Sequence, residues 1–144
     1  MQYFGKLLSV DRKSSKIDLV SKADIESNKY IVDKITSTYP QHSILSEEMN
    51  EYRGESKYQW VVDPLDGTTN FVHNLPIFSS SIGLKKDNNT ILGAVYNPAA
   101  KKCFYAEKKC GAFLNDRQIF PTSSKTLSEC LLATGFPYKH EFWN

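Results

Sequence analysis

Trp60-Val61-Val62-Asp63-Pro64-Leu65-Asp66-Gly67-Thr68-Thr69 is the stretch on which the reading of this chain turns. It opens as a strand: Tyr58 to Val62 is apolar and β-branched toward its end, which suits a pleated, half-buried surface. It then runs without a spacer into two aspartates. Pro64 between them fixes the backbone and leaves no N–H there, so both carboxylates and the Leu65 carbonyl can face one place. Gly67 permits a tight turn and close backbone approach. A short helix starting at Thr68 would present its free N–H groups to an anion.

A second strand candidate, Ser43 to Ser46, ends the same way, in Glu47 and Glu48. If the two strands are neighbours, Glu47, Asp63 and Asp66 converge. Carboxylates crowded together repel and raise each other's pKa. A hard divalent cation removes that penalty, and an oxygen-only set without Cys or His suits Mg²⁺. A phosphate held at Gly67-Thr68 would bridge to such ions, one polarising the phosphoryl group and acidifying a water, a second steadying the leaving oxygen. Thr68, oriented by Asp24 or by Glu47, can hold the attacking water, and no covalent enzyme intermediate is needed.

Outward from this centre the chain alternates short elements. Tyr3, Phe4, Leu7 and Leu8 stand at helical spacing, as the last turns of a helix, and Asp11 to Lys16 is polar and loop-like. Ser21 offers an N-cap, with Asp24 three residues later as a variant capping box. Ile31, Val32, Ile35 and Tyr39 then form one apolar stripe, which Pro40 ends. Met49 to Lys57 reads as a polar loop and Asp63 to Asn70 as turn-rich. Phe78 to Leu84, an Asp87-Asn88-Asn89 turn and Thr90 to Tyr96 make a hairpin. Cys103 to Ala106, Ala112 to Leu114 and Arg117 to Phe120 are short strands, with Asn115-Asp116 turning between the last two. Hairpins following one or two helices define an α+β layered domain. Pro121 to Thr126 is the boundary candidate. It separates a metal- and phosphate-binding unit over 1–121 from residues 122–144, where Leu131 to Thr134 reads as the first strand of a truncated second domain.

Composition narrows the function. In 144 residues, 18 Lys and Arg face 16 Asp and Glu, a net charge of +2, which argues against nucleic-acid binding through bulk charge. The 24% charged and 40% hydrophobic fractions fit a globular domain and disfavour disorder. The longest uncharged run, Gly67 to Leu84, is full of Thr, Asn, Ser and Pro, so no membrane span is expected, and no signal peptide is visible. Cys103, Cys110 and Cys130 are odd in number and lack Cys-x-x-Cys spacing. They read as reduced thiols, buried or incidental, in a cytoplasmic protein.

Asp63-Pro64-Leu65-Asp66-Gly67-Thr68-Thr69-Asn70-Phe71 resembles the signature of inositol monophosphatases, within the lithium-sensitive, magnesium-dependent phosphatase superfamily. Lys13-Ser14-Ser15 followed by Asp18-Leu19-Val20-Ser21 and Asp24 resembles that family's N-terminal segment. Ile44-Leu45-Ser46-Glu47-Glu48 is similar to its Glu-Glu motif, where Gly often precedes the pair and Ser46 stands here. Val72-His73, Pro76 and Gly111-Ala112-Phe113 with Asn115 continue the register, so the resemblance runs from about Lys13 to Pro137. It implies a layered α/β sandwich whose N-terminal part is an antiparallel-sheet domain. It also implies that Glu47, Asp63 and the Leu65 carbonyl bind one Mg²⁺ and that Asp63 and Asp66 bind a second. Asp66, Gly67 and Thr68 would hold the phosphate, and Asp24 and Thr68 would pair beside the nucleophilic water. Glu48 would support the ligands, and Lys13 matches a lysine near the metals. Homodimers are usual in the family. Its later half carries a Trp-Asp motif whose Asp binds metal, and this chain resembles only the portion before it.

The expected activity is Mg²⁺-dependent hydrolysis of a small phosphomonoester, an inositol-phosphate-like substrate first. Sugar or nucleotide phosphates are the alternative within the superfamily. The competing expectation is an inactive remnant or a module that binds metal and phosphate without turnover. Read blandly, Asp24 is a helix cap, Glu47-Glu48 a solvated loop start, His73 structural, and Trp60 and Phe71 core. Lys101-Lys102 and Lys108-Lys109 would then be solvated hairpin faces.

Overall fold

The structure, a computed structural model, describes residues 3–5 and 16–134. One long helix, α1 (Lys16–Thr38), precedes eight strands: β1 (Ser43–Ser46), β2 (Met49–Tyr52), β3 (Tyr58–Asp66), β4 (Ser79–Lys86), β5 (Asn89–Asn97), β6 (Lys102–Glu107), β7 (Gly111–Leu114) and β8 (Arg117–Ile119). A short helix, α2 (Thr68–Val72), follows β3 directly. The strands form one sheet in the order β2-β1-β3-β4-β5-β6-β7-β8. β1 and β3 run parallel, and every other neighbouring pair is antiparallel. This is the expected α+β layering. Among the described residues no helix is long and apolar enough to cross a membrane.

Packing splits the core in two. Ile35 on α1 meets Ile44 and Val62 on β1 and β3, with Ile31, Val32, Trp60 and Ile82 packed around them. Ala23, Leu65, Phe71 and Phe78 form the second cluster, and Tyr3, Phe4, Val72 and Ala99 pack against it. The inward face of α1 therefore changes character along its length. Ile31, Val32 and Ile35 are apolar, whereas Asp24 and Asn28, one turn apart, are polar and buried.

Two turns follow the chemistry of their residues. Asp87-Asn88 and Asn115-Asp116 have positive φ at both positions, 48° and 64° in the first and 45° and 66° in the second. Asn and Asp tolerate that conformation, and it gives the two-residue hairpin corner that matches strand twist.

Several expectations fail for physical reasons. Tyr3 to Gly5 is a turn rather than the end of a helix, while Leu7 and Leu8 lie outside the described residues. α1 starts at Lys16, so Ser21 is interior and no cap, and Asp24 is not in a first turn. Nothing in Lys16 to Leu19 breaks a helix, so the helix extends back past Ser21. Tyr39 lies beyond the helix and stacks on His42 at 4.8 Å rather than joining the core stripe. Met49 to Tyr52 is an edge strand, not loop. β3 continues through the acidic motif to Asp66. Leu131 to Thr134 forms no strand; Leu131 is fully exposed and Leu132 exposed, and none of the described strands pairs them. The thiols are all free, yet Cys110 and Cys130 are exposed and Cys103 only half-buried, so none is a core thiol.

Candidate functional site

Strand register brings the acids together. Ser46 lies opposite Val62 in the parallel β1–β3 ladder, so the next residues along, Glu47 and Asp63, are neighbours. The ladder extends one step beyond β1, where the Glu47 N–H donates to the Val62 carbonyl at 3.2 Å. On β3, the register against β4 shifts between Asp63 and Asp66, where Pro64 interrupts the ladder. Two side-chain bonds hold that irregular corner. Leu65 N–H donates to Asp63 Oδ1 at 3.1 Å, and the Ser80 hydroxyl donates to the Pro64 carbonyl at 2.8 Å.

The turn after Asp66 needs its glycine. Gly67 has φ 82°, and a Cβ there would sit 3.0 Å from the Ile77 carbonyl oxygen. The conditional helix at Thr68 is formed as α2, with Phe71 N–H donating to the Gly67 carbonyl at 3.0 Å. Phe71 is buried and anchors it to the core. His73 closes the other end, its Nδ1 2.8 Å from the Thr69 carbonyl, which is the structural role expected of it.

Electrostatics show how close the acids are. Asp24 is pushed up to about 7, first by burial and then by the charges of Glu48, Asp63 and Glu47, with a hydrogen bond to Glu48 that also favours its protonated form. Its Oδ1 is buried without a hydrogen-bond partner. Asp63 is raised above the ordinary carboxylate value by burial, Glu47 and Asp66, against a smaller lowering by the Leu65 N–H. Glu47, Glu48 and Asp66 are exposed at the mouth, and the Ser79 hydroxyl reaches Asp66 Oδ2 at 3.4 Å.

The structure thus brings Asp24, Glu47, Glu48, Asp63 and Asp66 to one end of the sheet, beside Gly67 and Thr68. It does not form the expected Asp24–Thr68 pair. The single Thr68 hydroxyl proton goes to the Leu65 carbonyl at 2.9 Å, three residues back and in easier reach. That carbonyl keeps a second lone pair. Lys13 lies outside the described residues. Among the described residues no three His, Cys, Asp or Glu side chains are grouped tightly enough to hold a metal ion as they stand. The donor set of Glu47, Asp63, Asp66 and the Leu65 carbonyl still fits a hard divalent cation that keeps several waters: it is all oxygen and mutually repelling, and the orphaned Asp24 Oδ1 lies beside it.

Sequence reading missed Asn28, Ser46, Ser79 and Ser80. Ser46 Oγ donates to Asn28 Oδ1 at 2.6 Å, and both residues are buried. Three consecutive serines, Ser79 to Ser81, ahead of the apolar Ile82 to Leu84 were the available signal for the second pair. Asn28, one turn beyond Asp24, was the signal for the first.

The class is a layered α+β domain whose parallel strand tips gather carboxylates beside a glycine turn and a helix start. The inositol monophosphatase family matches residues 1–142, and the chain belongs to that family. It is 38% identical over 122 residues to an inositol-1-monophosphatase of Rhizobium meliloti, covering 84% of this chain and 46% of the relative. It is 41% identical over 123 residues to Nus factor SuhB of Escherichia coli K12, covering 85% and 46%. The solved extragenic suppressor protein suhB of Bartonella henselae superposes with a TM-score of 0.77 at 39% identity, covering 80% of this chain and 45% of that one. The chain therefore spans about half the length of the relatives it matches, 46% in both cases. The family is generally metal-dependent and acts on small phosphate esters.

Proposed function

We propose that this chain carries the cation- and phosphate-binding part of a Mg²⁺-dependent phosphomonoesterase site for small, inositol-phosphate-like esters. The observation that supports it is the crowding of Glu47, Glu48, Asp63 and Asp66 around a buried Asp24 whose proton is held up to about pH 7. Such an arrangement is unfavourable in an empty fold and favourable around a cation. Glu47, Asp63, Asp66 and the Leu65 carbonyl would hold Mg²⁺, which supplies positive charge to polarise a phosphoryl oxygen and acidify a nearby water.

The remaining steps belong to side chains and backbone. With a cation relieving the repulsion that keeps its proton on, Asp24 would be ionised and could accept a proton from a water lodged between it and Thr68. Thr68, once its hydroxyl turns from the Leu65 carbonyl, orients that water. The backbone at the Gly67 turn and the Thr68 hydroxyl can meet a phosphate oxygen. Glu48 acts on Asp24 through its charge. By the family resemblance, Lys13 would stand near the cation. The segment from Thr122 onward is proposed to open a second domain, since its apolar Leu131 and Leu132 face solvent. A homodimer is proposed on the family resemblance alone.

Calorimetric titration with Mg²⁺ and assay of phosphate release from inositol 1-phosphate, with and without Li⁺, test the reading. Asp63→Asn should weaken Mg²⁺ at least ~10-fold, because that side chain lies between Glu47 and Asp66. Equal affinity in the variant would remove the site. A second reading, binding without turnover, is supported by the chain's spanning only 46% of the relatives it matches. It is recognised by Mg²⁺ and phosphate binding with no phosphate released.

A further inference from the structure

Buried polar side chains are sparse in this fold: among the described residues they are Asp24, Asn28 and Ser46. All three lie where α1 passes over the tips of β1 and β3. The Ser46 hydroxyl donates to Asn28 Oδ1 at 2.6 Å. Each partner is adjacent to an acid. Ser46 immediately precedes Glu47 and Glu48, and Asn28 stands one helical turn from Asp24. We propose that this hydrogen bond is a clamp, and that Ser46 and Asn28 are positioning residues that hold Asp24 against the Glu47-Glu48 tip for cation binding. The proposal rests on reading the acid cluster as a cation site.

Three considerations carry it. The acids push the elements apart: Asp24 feels the charges of Glu48, Asp63 and Glu47 across the gap between α1 and the sheet. The apolar contacts of Ile31, Val32 and Ile35 hold α1 down but are non-directional, so they do not fix its position along the strands. The Ser46–Asn28 bond is directional and short. Its strand end is locked by the ladder, Ser46 lying opposite Val62 on one side and Met49 on the other. A buried neutral pair of this kind contributes little net stability over apolar groups of the same shape. Its specific effect is therefore on position.

The test is Mg²⁺ calorimetry alongside urea midpoints for the full chain and for Ser46→Ala, Asn28→Ala, the double variant, Ser46→Thr and Ile35→Val. Either single truncation should weaken Mg²⁺ about 10-fold. The double should be no weaker than either single, since one bond is being removed. Ser46→Thr, which keeps the hydroxyl, should retain affinity. Ile35→Val should lower the urea midpoint with a smaller loss of Mg²⁺ affinity than either truncation. Should an alanine variant fail to fold, Ser46→Cys replaces the hydroxyl with a weak donor of similar size and should lose affinity several-fold. Unchanged affinity in the singles while wild type binds, or additive losses in the double, overturns the clamp alone. No Mg²⁺ binding by wild type overturns the cation-site reading, and the clamp with it.

Discussion

Replacing Asp24 with Asn should stabilise the metal-free protein, and should do so only at neutral and alkaline pH. The folded carboxyl keeps its proton up to about pH 7 because it is buried and faces Glu48, Asp63 and Glu47. An unfolded aspartate releases its proton near pH 4. Between those values the folded state carries the extra proton. Stability therefore falls as pH rises through that window and levels off above about 7. The distance between the two values is worth at most about 4 kcal/mol at 1.36 kcal/mol per pH unit. Solvent at the mouth, where Glu47 and Glu48 are exposed, screens the interaction, so about 1 to 2 kcal/mol is the expected gain. Urea unfolding in chelator, run from pH 4 to pH 8 on both proteins, reads it directly. The gap between the Asp24→Asn variant and wild type should be near zero at pH 4 and grow to a midpoint difference of about 1 M urea above pH 7. Saturating Mg²⁺ should then stabilise wild type more than Asp24→Asn, because binding relieves the same repulsion. A variant equally or less stable at pH 8, or a gap that does not change with pH, would refute the assignment of the strain to Asp24.

Other consequences are simpler to read. Gly67→Ala should cost about 2 kcal/mol by thermal or urea unfolding, since φ 82° disfavours a Cβ that would also meet the Ile77 carbonyl at 3.0 Å. Ile44→Ala should cost about 3 to 4 kcal/mol, because this side chain is fully buried between Ile35 and Val62. Thr68→Ala should leave Mg²⁺ affinity within about twofold and reduce binding of inorganic phosphate about 10-fold, measured by calorimetry in saturating Mg²⁺. A selective loss of Mg²⁺ affinity there would reverse the roles given to Thr68 and Asp63.

Glu47, Glu48 and Asp63 were legible because their positions, not only their identities, were informative: they stand at the ends of the strand candidates Ser43 to Ser46 and Tyr58 to Val62, and strand tips are where a sheet gathers side chains. Hairpin corners at Asp87-Asn88 and Asn115-Asp116 were legible because those residues tolerate positive φ. β2 was not. Met49-Asn50-Glu51-Tyr52 is a polar edge strand, and an edge with one ladder neighbour needs no apolar alternation to form. The start of α1 was misplaced because a serine with an acid three residues later signals a cap only where the preceding chain cannot be helical. The Ser46–Asn28 bond was invisible because two polar residues 18 positions apart carry no period. Leu131 to Thr134 has strand composition, but a strand also needs a partner edge, and none of the described strands supplies one.

One register specifies both the core and the site. Ile44 and Val62 point toward α1 and are the centre of the apolar cluster. In the parallel ladder Ile44 lies opposite Trp60 and Ser46 opposite Val62, which sets Glu47 beside Asp63. Because side chains alternate across a strand, a slip of one residue would turn Ile44 outward and carry Glu47 away from Asp63 at once. Burying Ile44 and Val62 contributes several kcal/mol, more than the repulsion among screened carboxylates opposes. The hydrophobic core thus holds together charges that would otherwise separate, and the resulting repulsion is relieved only by protonation of Asp24 or by a cation. Weakening the core without touching an acid should therefore relax the raised value of Asp24. In Ile44→Val, NMR titration of the Asp24 carboxyl should show its midpoint lower than in wild type, toward the ordinary aspartate range. An unchanged midpoint in a folded but destabilised Ile44→Val protein would show that core packing and acid spacing are set independently.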